Sequence, residues 1–332
     1  MIALVLVGGE GTRLRPLTWT TPKQLLPVAG VPMIERVVRH LSGHGVDHVV
    51  LSMGYRPDAF VEAYPDGTSA GVPITYAIEP ELLDTAGAVR FAASEAGVDD
   101  TFLVVNGDVL TELDVGALVA FHRRRSASAT ISLTPVEDPS AYGVVPTDDE
   151  GRVTAFIEKP APGEAPTNLI NAGMYVLEPS VVGLVPGGRR VSIERETFPT
   201  LVASGELYAL ASDAYWIDTG TPATYLQANL DVVDRAGRGP LLGAGTSVAD
   251  GATVERSVLG EGCCVEEGAR VTDSVLLGGT RVDRGAVVRR SIIGRNALIS
   301  ARAVLDDLSV VGDAVTVPAG ANLTGVRIPE PA

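Results

Sequence analysis

Apolar residues in the first two thirds of the chain alternate between short β-type runs and longer stretches with helical spacing. Such alternation is typical of an α/β domain with a largely parallel central sheet. Ligands of these sheets bind just beyond the carboxyl ends of the strands. The pattern predicts strands at 2–7, 48–52, 101–105 and 153–157, and helices at 33–41, 89–96 and 113–124.

A different spacing begins near residue 240, where an aliphatic residue returns about every six positions. Four tripeptides of the type serine-aliphatic-aliphatic start at Ser257, Ser274, Ser291 and Ser309, at intervals of 17, 17 and 18 residues. A repeat this short cannot bury its own apolar residues, so successive copies must stack into a solenoid. The six-residue spacing gives three flat faces per turn, which predicts a triangular parallel β-helix. We predict an α/β domain at 1–232, a linker at 233–243 and the β-helix at 244–328.

The charge and composition of the chain argue against several classes of partner. Its 332 residues carry 41 acidic and 26 basic side chains, a formal net charge of −15. That charge argues against non-specific binding of nucleic acid or of anionic lipid. No apolar stretch approaches the roughly 20 residues of a membrane helix, and the adjacent cysteines Cys263 and Cys264 are unsuited to a disulfide. We therefore expect a cytoplasmic protein that binds neither nucleic acid nor membrane.

Only two lysines occur in the chain, Lys23 and Lys159, against 24 arginines. A lysine ammonium is a compact point charge, whereas an arginine guanidinium is a planar fork. Because the sequence uses arginine elsewhere, its two lysines indicate positions that require a point charge.

A glycine-rich loop follows the first predicted strand, with the sequence GGEGTRLRPLT at residues 8–18. Glycines at a strand end let the backbone approach a ligand, and their amides can hold phosphates. The loop lacks the third glycine of the dinucleotide-binding fingerprint and the Gly-Lys-Ser/Thr sequence of a P-loop. Arg13 and Lys23 flank the loop, which a plain turn does not explain.

This loop, followed by Pro22-Lys23, resembles the signature of the sugar-1-phosphate nucleotidyltransferases, also called NDP-sugar pyrophosphorylases. The resemblance implies transfer of a nucleotidyl group from an NTP to a sugar 1-phosphate, with release of pyrophosphate. It implies a Rossmann-like mixed or parallel sheet in a catalytic domain at 1–232. It covers the whole chain, since several branches of the family end in a left-handed parallel β-helix of hexapeptide repeats.

Two aspartates each follow a short apolar run, Asp108 after residues 102–105 and Asp218 after residues 215–217. Asp108 should therefore lie at the carboxyl edge of the sheet, where ligands bind. Mg2+ prefers hard oxygen ligands, and it usually takes one or two carboxylates together with substrate phosphates. The resemblance assigns both aspartates to Mg2+, the cofactor that we expect.

The resemblance also assigns roles to residues around these aspartates. Arg13 and Lys23 are expected to neutralise the triphosphate, and Lys159 to hold the sugar phosphate. Residues 83–87 look like the loop that closes over the nucleobase, although relatives usually carry glycine where Asp84 stands. The expected nucleotide-binding residues are Gly8, Gly9, Gly11, Thr12, Thr85, Gly87 and Asn106, and the expected sugar-binding residues are Gly143, Glu158, Asn171 and Arg195.

The expected reaction is an in-line displacement, in which a sugar-phosphate oxygen attacks the α-phosphorus of the NTP. The sugar phosphate is already ionised, so the reaction needs no general base. Catalysis then rests on positioning and on neutralising the charge of two anions.

Two sets of motifs point to different substrates. Residues 192–199, SIERETFP, resemble a segment of the mannose-1-phosphate guanylyltransferases, as does the pairing of 84–87 with a β-helix of this length. Residues 22–27 and 218–221 look more like glucose-1-phosphate thymidylyltransferases. We favour GTP and mannose 1-phosphate, with thymidylyl or adenylyl transfer to glucose 1-phosphate as the alternative and a cyclitol or heptose phosphate still open.

Two further hypotheses come from other functional classes. Hexapeptide β-helices often carry acetyl transfer with a histidine base, but all four histidines precede the repeat. A catalytically silent subunit that binds an NDP-sugar and regulates a partner stays open, although Arg13, Lys23, Asp108, Lys159 and Asp218 argue against it. A stacked β-helix presents an open end and flat faces, so we expect a homo-oligomer formed through the β-helix.

Overall fold

The computed structural model describes residues 1–330. By its internal contacts the chain divides into two compact units. The first unit contains Met1–Gly9 and Ile34–Trp216, and the second contains Glu10–Met33 and the chain from Ile217 onward. The short segment Glu10–Met33 is grouped with the C-terminal part of the chain. The predicted end of the α/β domain at 232 and the predicted start of the β-helix at 244 stay predictions.

The helices and strands follow in chain order. The helices are α1 (Met33–Ser42), α2 (Pro57–Ala63), α3 (Asp84–Glu95), α4 (Val115–Arg125), α5 (Pro179–Leu184), α6 (Phe198–Ser204) and α7 (Pro222–Arg235). The first fourteen strands are β1 (Ile2–Leu6), β2 (Pro27–Val28), β3 (Val31–Pro32), β4 (His48–Met53), β5 (Thr68–Ser69), β6 (Val72–Ile78), β7 (Phe102–Asn106), β8 (Val109–Thr111), β9 (Ala129–Pro135), β10 (Gly143–Val144), β11 (Ile157–Glu158), β12 (Leu169–Leu177), β13 (Leu207–Ala211) and β14 (Trp216–Asp218).

A ten-stranded mixed sheet forms the centre of the first unit. Its main order is β11-β10-β12-β7-β1-β4-β6-β5, and β9 pairs with both β12 and β13. Strands β7, β1, β4 and β6 are parallel, whereas β12 runs antiparallel to β7. The parallel core and mixed edge confirm the predicted Rossmann-like mixed sheet.

Six of the predicted elements are present, with ends shifted by a few residues. The largest shift is in α3, which begins at Asp84, five residues before the predicted start. The predicted strand at 153–157 is wrong. Val153 pairs only through an isolated bridge to Thr147, and regular pairing starts again at Ile157 in β11. Residues 154–156, between these two pairings, are not part of a strand.

The second unit contains the predicted solenoid, built from sixteen further strands. These are β15 (Leu241–Leu242), β16 (Ser247–Val248), β17 (Thr253–Glu255), β18 (Val258–Leu259), β19 (Cys264–Val265), β20 (Arg270–Thr272), β21 (Val275–Leu276), β22 (Arg281–Val282), β23 (Val287–Arg289), β24 (Ile292–Ile293), β25 (Leu298–Ile299), β26 (Val304–Asp306), β27 (Val310–Val311), β28 (Thr316–Val317), β29 (Asn322–Thr324) and β30 (Arg327–Ile328). They form three parallel sheets, which begin with β15, β16 and β17 and take every third strand thereafter. Residues 17 apart pair between most coils, so the sequence repeat is the coil of a parallel β-helix.

One corner of the β-helix carries the four repeated serines, which are fully buried. The N–H of Ser274 donates to Oγ of Ser257 over 3.0 Å, and the N–H of Ser291 donates to Oγ of Ser274 over 3.1 Å. Each hydroxyl in turn donates to a backbone carbonyl that closely precedes it in the chain. A row of hydrogen bonds therefore joins the coils at this corner.

The residue before each serine at this corner has left-handed backbone geometry. In the first three coils a single residue has positive φ, namely Arg256, Asp273 and Arg290, while in the fourth coil both Asp307 and Leu308 do. This second left-handed residue accommodates the one 18-residue interval of the repeat.

The sheet that contains β18, β21, β24 and β27 is apolar on both of its faces. Leu259, Leu276, Ile293 and Val311 point into the core of the solenoid. Their neighbours on the outer side are buried as well, and these are Val258, Val275, Ile292 and Val310. Helix α7 contacts β18 within the same unit. The burial of this outer row explains why both aliphatic positions of the repeated tripeptide are apolar.

No helix within residues 1–330 has both the length and the apolar character required to cross a membrane.

Candidate active site

The carboxyl ends of β1 and β7 place several predicted ligand residues at one edge of the sheet. Leu6 pairs with Asn106, so Gly8 and Asp108 follow aligned strand ends. The N–H of Gly107 donates to the carbonyl of Leu6 over 3.0 Å, and a Cβ on Gly107 would lie 2.7 Å from Cγ1 of Val7. Only glycine fits this close approach of the two backbones, and the turn it forms presents the half-buried Asp108.

Asn106 is held against Gly173 of the antiparallel strand β12. Gly173 has a φ of +76°, and a Cβ there would lie 2.6 Å from Nδ2 of Asn106. The N–H of Gly173 also donates to Oδ1 of Asn171 over 3.0 Å. The structure therefore brings the predicted nucleotide residue Asn106 next to the predicted sugar residue Asn171.

Glu79 is a buried carboxylate at the same edge that the sequence analysis missed. It follows β6 directly, and its side chain is 9% exposed. One carboxylate oxygen accepts from the hydroxyl of Ser52 over 3.2 Å, and the other accepts from the N–H of Leu83 over 3.0 Å. A Cβ placed on Gly8 would lie 3.7 Å from the carboxylate. An acid directly after an apolar strand was the available signal, the same one that identified Asp108.

The predicted nucleobase loop at 83–87 is wrong as a description of local structure. Only Leu83 precedes α3, and Asp84–Gly87 form the first turn of that helix. Asp84 has a φ of +62°, a conformation that glycine adopts more readily. The positive φ at this position explains why glycine is expected there in relatives.

Thr85 and Gly87 connect this turn to the segment at 191–197. The hydroxyl of Thr85 donates to Oε2 of Glu194 over 2.8 Å and accepts from the N–H of Ile193 over 2.8 Å. The N–H of Gly87 donates to the carbonyl of Val191 over 3.2 Å. This segment continues as a single turn of π-helix, Ile193–Thr197, which exposes the predicted sugar residue Arg195.

Lys159 and Glu158 lie at the end of the edge strand β11. Glu158 pairs with Gly143 of β10, and a Cβ on Gly143 would lie 2.8 Å from the ring of Phe156. The N–H of Lys159 donates to the carbonyl of Tyr142 over 3.0 Å, and its φ is +50°. Its ammonium lies 3.9 Å from the Glu158 carboxylate and its side chain is 63% exposed. The backbone thus presents Lys159 in a sparsely populated conformation of the kind found at ligand sites.

Asn171 is oriented by a buried tyrosine. Its Nδ2 donates to the hydroxyl of Tyr175 over 2.9 Å. Burial raises the pKa of Tyr175, so its hydroxyl stays neutral. The side chain of Asn171 is therefore held in one orientation at the sugar side of the predicted site.

In the second unit, the remaining loop residues pack closely on one another. Gly11 has a φ of +64°, and a Cβ there would lie 2.9 Å from Cγ2 of Thr18 and 3.1 Å from Cβ of Lys23. The hydroxyl of Thr18 donates to the carbonyl of Gly11 over 2.8 Å. Thr12 and Arg13 are exposed on a turn of 3-10 helix, Thr12–Leu14. Gly11, Thr12 and Lys23 therefore belong to one compact loop.

Arg13 and Asp218 of this unit both lie against Gly220. A Cβ on Gly220 would lie 2.6 Å from Nη2 of Arg13 and 2.8 Å from Oδ1 of Asp218. The N–H of Gly220 donates to the same Asp218 oxygen over 2.8 Å. Gly220 is thus a second site position that was not predicted from the sequence. Any larger residue there would displace the side chain of Arg13 or of Asp218.

The described residues 1–330 contain no group of three or more His, Cys, Asp or Glu side chains that could hold a metal ion alone. The predicted ligands Asp108 and Asp218 are carboxylates on separate units of the chain. Each offers the hard oxygen ligands that a divalent ion prefers.

Comparison with known families assigns the N-terminal part of the chain. The family model described as nucleotidyl transferase matches residues 2–235. The chain belongs to this family. A second model, described as the LbH domain of the EIF2B epsilon subunit, matches residues 225–323. The prediction of a sugar-1-phosphate nucleotidyltransferase fold with a left-handed β-helix is confirmed.

Individual relatives and solved structures agree with this assignment. A mannose-1-phosphate guanylyltransferase of Mycobacterium tuberculosis is 42% identical over 77% of this chain and 72% of its own length. A mannose-1-phosphate guanyltransferase of Yarrowia lipolytica is 44% identical over 68% of this chain, which spans 62% of that relative. The crystal structure of HddC from Yersinia pseudotuberculosis has a TM-score of 0.61 at 28% identity, covering 70% of this chain and 99% of HddC. The crystal structure of a putative glucose-1-phosphate thymidylyltransferase from Bacillus anthracis has a TM-score of 0.64 at 25% identity. The match covers 70% of this chain and 96% of that protein.

Proposed function

We propose that this nucleotidyl transferase makes GDP-mannose and pyrophosphate from GTP and mannose 1-phosphate. The observation that carries the proposal is the 42% identity to the Mycobacterium tuberculosis guanylyltransferase over 77% of this chain. The alternative, thymidylyl or adenylyl transfer to glucose 1-phosphate, rests on two short motifs and on structures of lower identity.

The position of Glu79 supports guanine as the base. Its carboxylate lies beside Gly8 at the ligand edge and beside the N–H of Leu83. A carboxylate accepts two parallel hydrogen bonds from the N1–H and the amino group of guanine. Thymine and adenine do not offer that pair of donors. We propose that Glu79 contributes to base selection, with Gly9, Thr85, Gly87 and Asn106 also on the nucleotide side.

Charge neutralisation is the main task of the remaining residues. Arg13, Lys23 and the amides of Gly8, Gly11 and Thr12 are proposed to bind the triphosphate. Asp108 and Asp218 would hold the divalent ion, for which we propose Mg2+. Such an ion supplies positive charge that stabilises the phosphate oxygens as charge develops on the leaving pyrophosphate.

On the sugar side, Lys159 is proposed to hold the phosphate of mannose 1-phosphate. Glu158, Asn171, Arg195 and the backbone of Gly143 would bind the sugar. The sugar-phosphate oxygen is already an anion, so these residues orient a nucleophile and remove no proton. Correct placement of two reactants can lower the barrier by roughly 7 kcal/mol.

The setting of the reaction is also a proposal. We place it in the cytoplasm, in keeping with the free thiols of Cys263 and Cys264. We also propose a homo-oligomer formed through the β-helix. Neither feature is needed for the reaction itself.

The test is a substrate panel. The protein is incubated with Mg2+, each NTP in turn and a series of sugar 1-phosphates, and pyrophosphate is measured while the sugar nucleotide is identified by mass. We expect GTP with mannose 1-phosphate to react fastest. Faster turnover of dTTP or ATP with glucose 1-phosphate would replace the proposed substrates. No product from any pair would favour the silent regulatory subunit.

A further inference from the structure

Inside the second unit, a hydrogen bond joins the loop segment Glu10–Met33, which contains Arg13 and Lys23, to the β-helix. The hydroxyl of Thr20 donates to Oδ2 of Asp313 over 2.6 Å. Thr20 ends the short 3-10 turn Leu17–Trp19, and Asp313 follows β27. The two residues are 293 positions apart in the chain, so the contact exists only because the loop packs on the solenoid.

Both partners of this hydrogen bond are held in place by further contacts. The second carboxylate oxygen of Asp313 accepts from the N–H of Arg295 in the preceding coil over 2.7 Å. The neighbouring Gly312 is buried, and a Cβ there would lie 3.2 Å from Cβ of Pro16. The coil corner around Asp313 therefore touches the loop at two points and is itself fixed by the solenoid.

Thr20 lies close in the chain to the charged residues Arg13 and Lys23. Thr20 lies between Thr18, whose hydroxyl holds the carbonyl of Gly11, and Lys23, whose Cβ would be 3.1 Å from a Cβ on Gly11. Arg13 follows Gly11 by two residues. A shift of the Thr20 backbone would therefore move the packed group of Gly11, Thr18 and Lys23 together.

We propose that Asp313 is a positioning residue that fixes the loop bearing Arg13 and Lys23 for the triphosphate. The inference rests on the proposed function, since it assigns these two side chains to the nucleotide. It gives the β-helix a part in phosphate binding although the solenoid supplies no reacting group.

The test compares Asp313→Ala and Thr20→Val with the unchanged protein. The control is Asp250→Ala, at an exposed corner of the first coil. We expect the KM for GTP to rise about five- to tenfold in both test variants, while the KM for mannose 1-phosphate changes less than twofold. The double variant should resemble Asp313→Ala, because Thr20→Val removes a hydrogen bond that is already absent there. Thr20→Ser keeps the hydroxyl, so its KM for GTP should stay at that of the unchanged protein.

A second readout does not depend on catalysis. Amide hydrogen exchange in residues 12–23 should become faster in Asp313→Ala and stay unchanged in Asp250→Ala. Equal rises in both KM values, or exchange in the loop that matches the control, would overturn the positioning role. If the unchanged protein turns over no substrate pair but the loop still exchanges faster in Asp313→Ala, the proposed function fails while the structural coupling stands.

Discussion

Lys159 combines a charge and a strained backbone, and two substitutions separate them. Lys159→Gln removes the charge and keeps a polar side chain that is one atom shorter, whereas Lys159→Gly also removes the Cβ at a φ of +50°. A left-handed conformation costs a non-glycine residue about 1–2 kcal/mol. Glycine loses about 0.5–1 kcal/mol through its greater freedom in the unfolded chain. The glycine variant should therefore unfold at the same temperature or up to about 2 °C higher.

The activity of both variants should fall despite that stability. The side chain of Lys159 is 63% exposed and its ammonium lies 3.9 Å from Glu158, so this ion pair contributes little to stability. A hydrogen bond from a charged donor to a phosphate is worth about 1.5–3 kcal/mol. Its loss should lower kcat/KM for mannose 1-phosphate about 10- to 150-fold, with a much smaller effect on the KM for GTP.

The assay is steady-state pyrophosphate release with each substrate varied in turn, together with thermal unfolding. Arg302→Gly is a matched control, because Arg302 has a φ of +59° in the β-helix and is not among the predicted site residues. It should show the same small gain in stability with unchanged kinetics. A mannose 1-phosphate KM within twofold of the original in Lys159→Gln would refute the assignment of Lys159. A melting temperature lowered by more than a few degrees in Lys159→Gly would refute the strain argument.

Three other predictions address the metal, the base and the thiols. Asp108→Asn and Asp218→Asn should each cut turnover at least tenfold and raise the Mg2+ concentration needed for half activity; normal turnover at limiting Mg2+ would exclude that residue as a ligand. Glu79→Gln should lower the preference for GTP over dTTP, measured as a ratio of kcat/KM values, and an unchanged ratio would remove Glu79 from base selection. Burial raises the pKa of the Cys263 thiol, so iodoacetamide at pH 8 should label the half-buried Cys264 first, as peptide mass spectrometry would show; faster labelling of Cys263 would contradict its burial.

Local patterns were sufficient to predict most of the architecture. The six-residue spacing and the 17-residue interval depend on contacts between neighbouring coils, so the coil is readable in the sequence. The strand predicted at 153–157 was wrong because its antiparallel pairing with residues 144–147 shifts by one residue along the run, and the run itself does not specify that shift. Helix α3 was predicted too short because Asp84 begins it in a left-handed conformation.

Candidate site residues could be proposed from the sequence where a motif stood alone, and not where they depend on packing. The loop, the two lysines and the two aspartates are recognisable along the chain. Glu79 follows a strand as Asp108 does, but the strand before it was not predicted from the sequence, and its burial beside Gly8 depends on packing. The packing of Thr20 against Asp313 joins residues that no local pattern connects.

The serine corner of the β-helix determines how this domain can change in length during evolution. One residue has been accommodated there, by a second left-handed position at Leu308, without disturbing the aliphatic rows on either side. The same insertion inside a strand would turn the inward row outward, because strand side chains alternate. Whole coils can therefore be gained or lost in units of 17 residues, while changes of a single residue are confined to the corners. The length of the solenoid can therefore change during evolution without a change in the strand pairing between neighbouring coils.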